Sequence, residues 1–160
     1  MSWELLAALA VVVVLSMRRS SSPSPDLRQL VADAADTAGV DRALFFGIVE
    51  VESGWNPDAR NLAGSDGARG GAWGLTQMTV RTAQLFEPSI NGQELLDPVV
   101  NLRVAEQLMA DNARRSRKWD DLASMWNSGK LADRAPNSTR YTYVPKVLDA
   151  AERYRAQGVV

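Results

Sequence analysis

The 160-residue sequence predicts a mainly α-helical fold. Apolar residues recur three and four apart in successive segments, as one face of a helix requires. Those segments are bounded by helix start and stop residues, Asp before and Gly after. No stretch sustains the two-residue alternation of a half-buried strand.

The elements follow in order. Trp3 to Met17 is apolar except for Glu4 and Ser16, with Val11 to Val14 at its centre. Seventeen helical residues span about 25 Å, against a hydrocarbon core of ~30 Å. Arg18 and Arg19 follow and extend the reach by snorkelling. Residues 1–19 are therefore expected to be an uncleaved single-pass membrane anchor; a signal peptide or a short buried helix is the alternative. A signal peptide wants its positive charge before the apolar run, and here the arginines come after it. Residues 20–26, Ser-Ser-Ser-Pro-Ser-Pro-Asp, read as a flexible or polyproline-like tether. Residues 27–160 then form the domain. Asp26 is expected to cap a helix carrying Leu27, Leu30, Val31, Ala34 and Ala38, ended by Gly39. Asp41 caps the next helix, which runs to Gly54. Asn61 to Gly74 holds five glycines and reads as a loop or a small hairpin. A short helix is expected over Val80 to Phe86. A long one starts at Asp97-Pro98, where proline at a first-turn position leaves no bond unmade. Asp120 or Asp121 caps a short helix over Leu122 to Asn127, stopped by Gly129, and a last helix starts near Tyr143 or Pro145.

Composition excludes several chemistries. The net charge of −1 gives no broad electrostatic basis for nucleic-acid binding. There is no cysteine and no histidine. Disulfides, Ser-His and Cys-His nucleophiles and histidine-based metal sites are thereby removed, and no cofactor is implied. Acid–base chemistry has to come from Asp, Glu, Tyr or Lys.

Glu52 is the leading candidate. Phe45, Ile48 and Glu52 lie three and four apart on one helix face. A carboxylate on an apolar face loses hydration, and the C-terminal end of a helix disfavours negative charge. Both effects favour the protonated form that a general acid needs near neutral pH. The alternative is a glutamate pointing into solvent at a frayed helix end.

Four blocks widen the pattern: Glu52-Ser53-Gly54-Trp55; Gly74-Leu75-Thr76-Gln77-Met78; Met125-Trp126-Asn127; and Tyr141-Thr142-Tyr143-Val144. Their order and spacing resemble the SLT-type lytic transglycosylases, lysozyme-like enzymes that cleave peptidoglycan. That family shows Glu-Ser, Gly-Leu-Met-Gln, Ala-Tyr-Asn and a Tyr-Val segment. The resemblance covers roughly Leu27 to Tyr154. Here Thr76 stands where the family has methionine, and Met125-Trp126 stand where it has Ala-Tyr. The exchange of Tyr for Trp keeps an aromatic face and loses a phenolic hydroxyl.

The resemblance implies a lysozyme-like domain acting on the MurNAc–GlcNAc β-1,4 bond and leaving a 1,6-anhydro product, with Glu52 as the single acid and base. It also implies supporting roles. Gln77 and Asn127 would hold N-acetyl and hydroxyl groups, or else brace loops. Ser53 would contact the substrate or Glu52, or bond the helix backbone. Met78 and Trp126 would line the groove or fill core; Trp55 and Trp73 are weaker stacking candidates flanking it. Tyr143 would orient Glu52, with Tyr141 as its alternate. A muramidase using water would instead need a second carboxylate about 5–9 Å away. Glu50 points to another helix face, while Asp58 and Asp66 in the loops stay open. A non-catalytic wall-binding or virion structural protein retaining the fold is a further alternative. The expected partners are peptidoglycan strands, a membrane through the N-terminal helix, and virion or envelope proteins. The positive-inside tendency puts Arg18 and Arg19, and with them the domain, in the cytoplasm. A virion membrane carried to the wall during phage infection or lysis, or a bacterial envelope location in which the arginines do not decide topology, resolves the conflict. The basic run Arg114 to Lys118 reads as a solvated helix end that complements the dipole, with contact to anionic wall polymer or headgroups as the lesser reading.

Overall fold

The computed structural model describes residues 25–62 and 71–158. The expected anchor, most of the tether and Asp66 lie outside the described residues. Among those described, no helix is long and apolar enough to cross a membrane.

Helix α1 (Pro25–Ala38) starts one residue before the expected cap. Proline's fixed φ suits a first turn, so Asp26 sits inside that turn and does not cap it. Helix α2 (Arg42–Ser53) has the expected ends. The Asp41 carboxylate accepts from the Ala43 N–H at 2.8 Å, and Gly54 closes the helix at φ 60°. Ala43 to Val49 are buried without interruption, so α2 is the central helix of the domain.

Three two-residue strands follow: β1 (Arg60–Asn61), β2 (Ala72–Trp73) and β3 (Met78–Thr79), paired antiparallel in that order. Two residues are too few for an alternation to show in sequence. Helix α3 (Val80–Ala83), capped by Thr79, is shorter than expected. Beyond it the Leu85 and Phe86 N–H groups reach back only three residues, to Thr82 and Ala83, and the chain continues as turns.

Helix α4 (Pro98–Arg115) begins as the Asp97-Pro98 pair predicts, with Asp97 accepting from the Val99 N–H at 2.8 Å. Helix α5 (Trp119–Ser128) starts earlier than expected, with Lys118 at the cap position. Asp120 and Asp121 lie in its first turn. Asp121 is occupied elsewhere, accepting from the Ser116 hydroxyl and the Ala132 N–H. Gly129 ends α5 at φ 71°, as predicted. A π-helical turn, Thr139–Tyr143, leads into helix α6 (Val144–Ala156).

Two packing features set the geometry of the cleft. Helix α6 runs against α2 closely enough that a Cβ on Gly47 would lie 2.7 Å from the Val147 carbonyl oxygen. The second feature is Asn101 on α4, fully buried. Its amide donates to the Trp73 and Leu95 carbonyls, each at 2.9 Å, and its oxygen accepts from the Thr76 N–H and hydroxyl at 3.1 and 2.7 Å. One side chain thus fixes the turn between β2 and β3 to the long helix. Gly74 makes room for it: a Cβ there would meet the Leu95 carbonyl at 2.2 Å.

Candidate active site

The last turn of α2 carries Glu52 into a cavity of about 560 Å³ between the β2–β3 turn and the end of α5. Gln77, Met78, Met125, Trp126 and Asn127 line the same cavity. Three of the four sequence blocks therefore meet in one place. The fourth contributes Tyr143, whose hydroxyl donates to Glu52 Oε1 at 2.5 Å. These two residues are 91 positions apart and are joined by the packing of α6 on α2.

Glu52 is held as a protonated acid up to about pH 7. Desolvation is the main cause. The Tyr143 hydroxyl donates to the carboxylate and, with the neighbouring Trp126 indole, pulls in the opposite direction. Trp126 lines the cavity beside the acid. Its ring packs edge-on against Phe45, centroids 6.0 Å apart, on the face of α2 that bears Glu52. Tyr143 is half-buried, and desolvation of its hydroxyl together with the neighbouring carboxylate holds that hydroxyl protonated well above the ordinary range.

The amides are oriented by their partners. Gln77 sits at φ 48°, a left-handed position that is uncommon for a side-chain-bearing residue. Its Nε2 donates to the Gly74 and Ala59 carbonyls at 3.0 and 3.2 Å. Two carbonyl partners fix which end of the amide is nitrogen, and Oε1 is left as an acceptor. At Asn127 the assignment is reversed: Oδ1 accepts from the Thr139 hydroxyl at 2.7 Å, which leaves the NH₂ to donate. The cleft wall thus offers one acceptor and one donor, the complement of an N-acetyl group.

The remaining candidate residues lie away from the cavity. Ser53 bonds the Val49 carbonyl at 3.2 Å and does not line the cavity. Trp55 and Trp73 do not flank it either: both are buried. Trp55, at φ 66°, turns back from the helix end, stacks edge-on against Phe46 and donates to the Tyr154 hydroxyl at 2.8 Å. Trp73 lies over Gly92, where a Cβ would come within 2.4 Å of its ring. Tyr141 is exposed, so the register falls on Tyr143. Glu50 pairs with Arg153, away from the cleft. Among the described lining residues Glu52 is the one carboxylate. Asp58, exposed in the loop after α2, does not line the cavity. Among the described residues no cluster of acidic side chains is arranged to hold a metal ion.

Sequence reasoning missed Asn61, Thr79, Thr82 and Leu108, which complete the wall. It also missed Thr139, which fixes Asn127, and Asn101, which fixes the turn below Gln77. A polar residue inside the apolar face of a long helix was the available signal for Asn101.

A comparison with protein-family models matches residues 29–147 to the transglycosylase SLT domain. No curated protein matches the chain.

Proposed function

Since the chain belongs to the transglycosylase SLT domain family, we propose that it is a peptidoglycan lytic transglycosylase with Glu52 as its single general acid and base. The observation that carries this reading is a desolvated Glu52, protonated up to about pH 7, in a cavity whose described lining holds no other carboxylate.

In the first step Glu52 gives its proton to the glycosidic oxygen, the C1–O bond breaks, and positive charge develops at C1 of the MurNAc. The carboxylate so formed is stabilised by the Tyr143 hydroxyl, so this donor acts most strongly after the proton has left. In the second step the carboxylate takes the proton of the same sugar's 6-hydroxyl, and O6 closes on C1. Glu52 ends protonated again and no water is consumed. Gln77 Oε1 and the Asn127 NH₂ hold the N–H and the carbonyl of an N-acetyl group while the ring distorts.

The test is mass spectrometry of sugars released from purified peptidoglycan by the chain and by Glu52→Gln. Products one water lighter than hydrolytic muropeptides, absent with the variant, are expected. Full-mass reducing products would overturn the single-acid mechanism and direct attention to Asp66.

For the setting we propose a membrane-anchored protein of a virion membrane or the bacterial envelope, acting in local wall opening. The apolar run from Trp3 to Met17 followed by Arg18 and Arg19 supports it. Protease access to the domain in intact spheroplasts tests it; a protein released freely by osmotic shock would refute the anchor.

A further inference from the structure

A second cavity, of about 370 Å³, adjoins the catalytic one. Arg115, Gly129, Lys130, Leu131 and Arg134 line it. Gly129 lines both cavities. Three cationic side chains from three elements therefore converge one residue away from the catalytic cleft: the end of α4, the turn after α5, and the 3₁₀ turn Ala132–Arg134.

The charge is not neutralised locally. None of the ion pairs among the described residues uses Arg115 or Lys130. Arg134 has only the loose, solvent-exposed contact with Asp133 at 3.9 Å. Asp121, the other acid nearby, has both oxygens occupied by Ser116 and the Ala132 N–H, and Asp111 is paired with Arg114. Residues 114–140 hold seven Lys and Arg against three Asp, in a chain whose net charge is −1. The basic run at the end of α4 thus contributes Arg115 to a concave site and is more than a solvated helix end.

The site is also braced. Arg115 donates to the Gly129 carbonyl through both terminal nitrogens, at 3.4 and 3.5 Å, which holds the guanidinium at the rim. Arg140 donates to the Ala132 carbonyl at 2.8 Å and to that of Asp133, and so fixes the turn that carries Arg134. A guanidinium so held, as Arg115 is, loses little freedom when an anion arrives, and it matches a carboxylate with paired N–H donors.

We propose that this basic cavity is a subsite for a carboxylate of the peptide stem borne by the same glycan strand whose sugar occupies the cleft. The proposal rests on the peptidoglycan reading above. A volume of about 370 Å³ accommodates an acidic residue or two of a side branch. The shared Gly129 puts the subsite within reach of a branch on a sugar bound beside Glu52.

The test uses the whole chain on two substrates: glycan strands with their stems, and the same strands stripped of stems by an amidase. The Lys130→Gln/Arg134→Gln double variant is expected to raise KM for stem-bearing strands by about 3- to 10-fold, the range for exposed charge pairs. kcat and all parameters on stripped strands should be unchanged. The KM difference should shrink in high salt. An unchanged KM on stem-bearing strands, or an equal loss on stripped strands, would overturn the proposal. Sedimentation of the Glu52→Gln protein with each substrate provides a readout without turnover. Preference for stem-bearing strands, lost when the two cations are also replaced, supports the subsite even if no anhydro products form. Equal binding to both substrates while the wild type still makes anhydro products rejects the subsite and leaves the activity standing. Binding that requires phosphate-bearing wall polymer instead of stems would also reject it.

Discussion

Replacing Glu52 by glutamine should remove activity and at the same time stabilise the fold, by an amount that depends on pH. Burial raises the carboxyl from 4.5 to about 7. At about 1.4 kcal/mol for each tenfold in proton affinity, the cost of keeping the ionised form folded is on the order of 3 kcal/mol. The sign follows from proton binding. Below pH 4.5 the side chain is protonated in both states and costs nothing. Between 4.5 and 7 the folded protein keeps a proton that the unfolded chain has released, so stability falls as pH rises. Above pH 7 both are ionised and the full cost applies. Glutamine has a similar volume, stays neutral, and its carbonyl accepts from the Tyr143 hydroxyl. The stability gained by the variant should therefore be near zero at pH 4 and on the order of 3 kcal/mol at pH 8.5. With a urea dependence of about 2 kcal/mol per molar, the unfolding midpoint shifts by roughly 1.5 M at the higher pH. Urea unfolding of both proteins at the two pH values, followed by tryptophan fluorescence, measures it; all other titrations cancel in the difference. An equal gain at both pH values, or none at 8.5, would refute the account of Glu52 as a desolvated acid.

Three further outcomes are expected. Tyr143→Phe removes a hydrogen bond that lowers the Glu52 pKa, so the alkaline limb of the kcat–pH profile should move to higher pH while the plateau falls about ten- to hundredfold; an acid-ward shift would contradict the assignment. Asn101→Ala leaves the Trp73 and Leu95 carbonyls and the Thr76 N–H without partners and should cost about 3–5 kcal/mol, read by urea unfolding, together with a loss of anhydro products. Gly47→Ala places a methyl 2.7 Å from the Val147 carbonyl and should lower stability by about 1–3 kcal/mol; unaltered thermal unfolding and turnover would show that the two helices give way freely.

The features legible in sequence were those with local causes. Asp41, Gly54, Asp97-Pro98 and Gly129 mark helix ends through side-chain and backbone chemistry within a few residues, and each holds. The raised pKa of Glu52 followed from the face it shares with Phe45 and Ile48. What could not be read depends on distant partners. Tyr143 was found through resemblance, because its contact with Glu52 exists only once α6 packs on α2. Trp55 looked like a groove residue because it follows a helix end; a positive φ returns it to the core. Asp121 looked like a cap, but Ser116 and Ala132 claim its oxygens first.

The contact at Gly47 has a consequence for when the protein becomes active. Until α6 docks, Glu52 lacks the Tyr143 hydroxyl that donates to it. Docking supplies that donor. The orientation of Glu52 is thus completed by the final helix pairing, and a chain that has emerged only as far as α5 holds this carboxyl without its tyrosine.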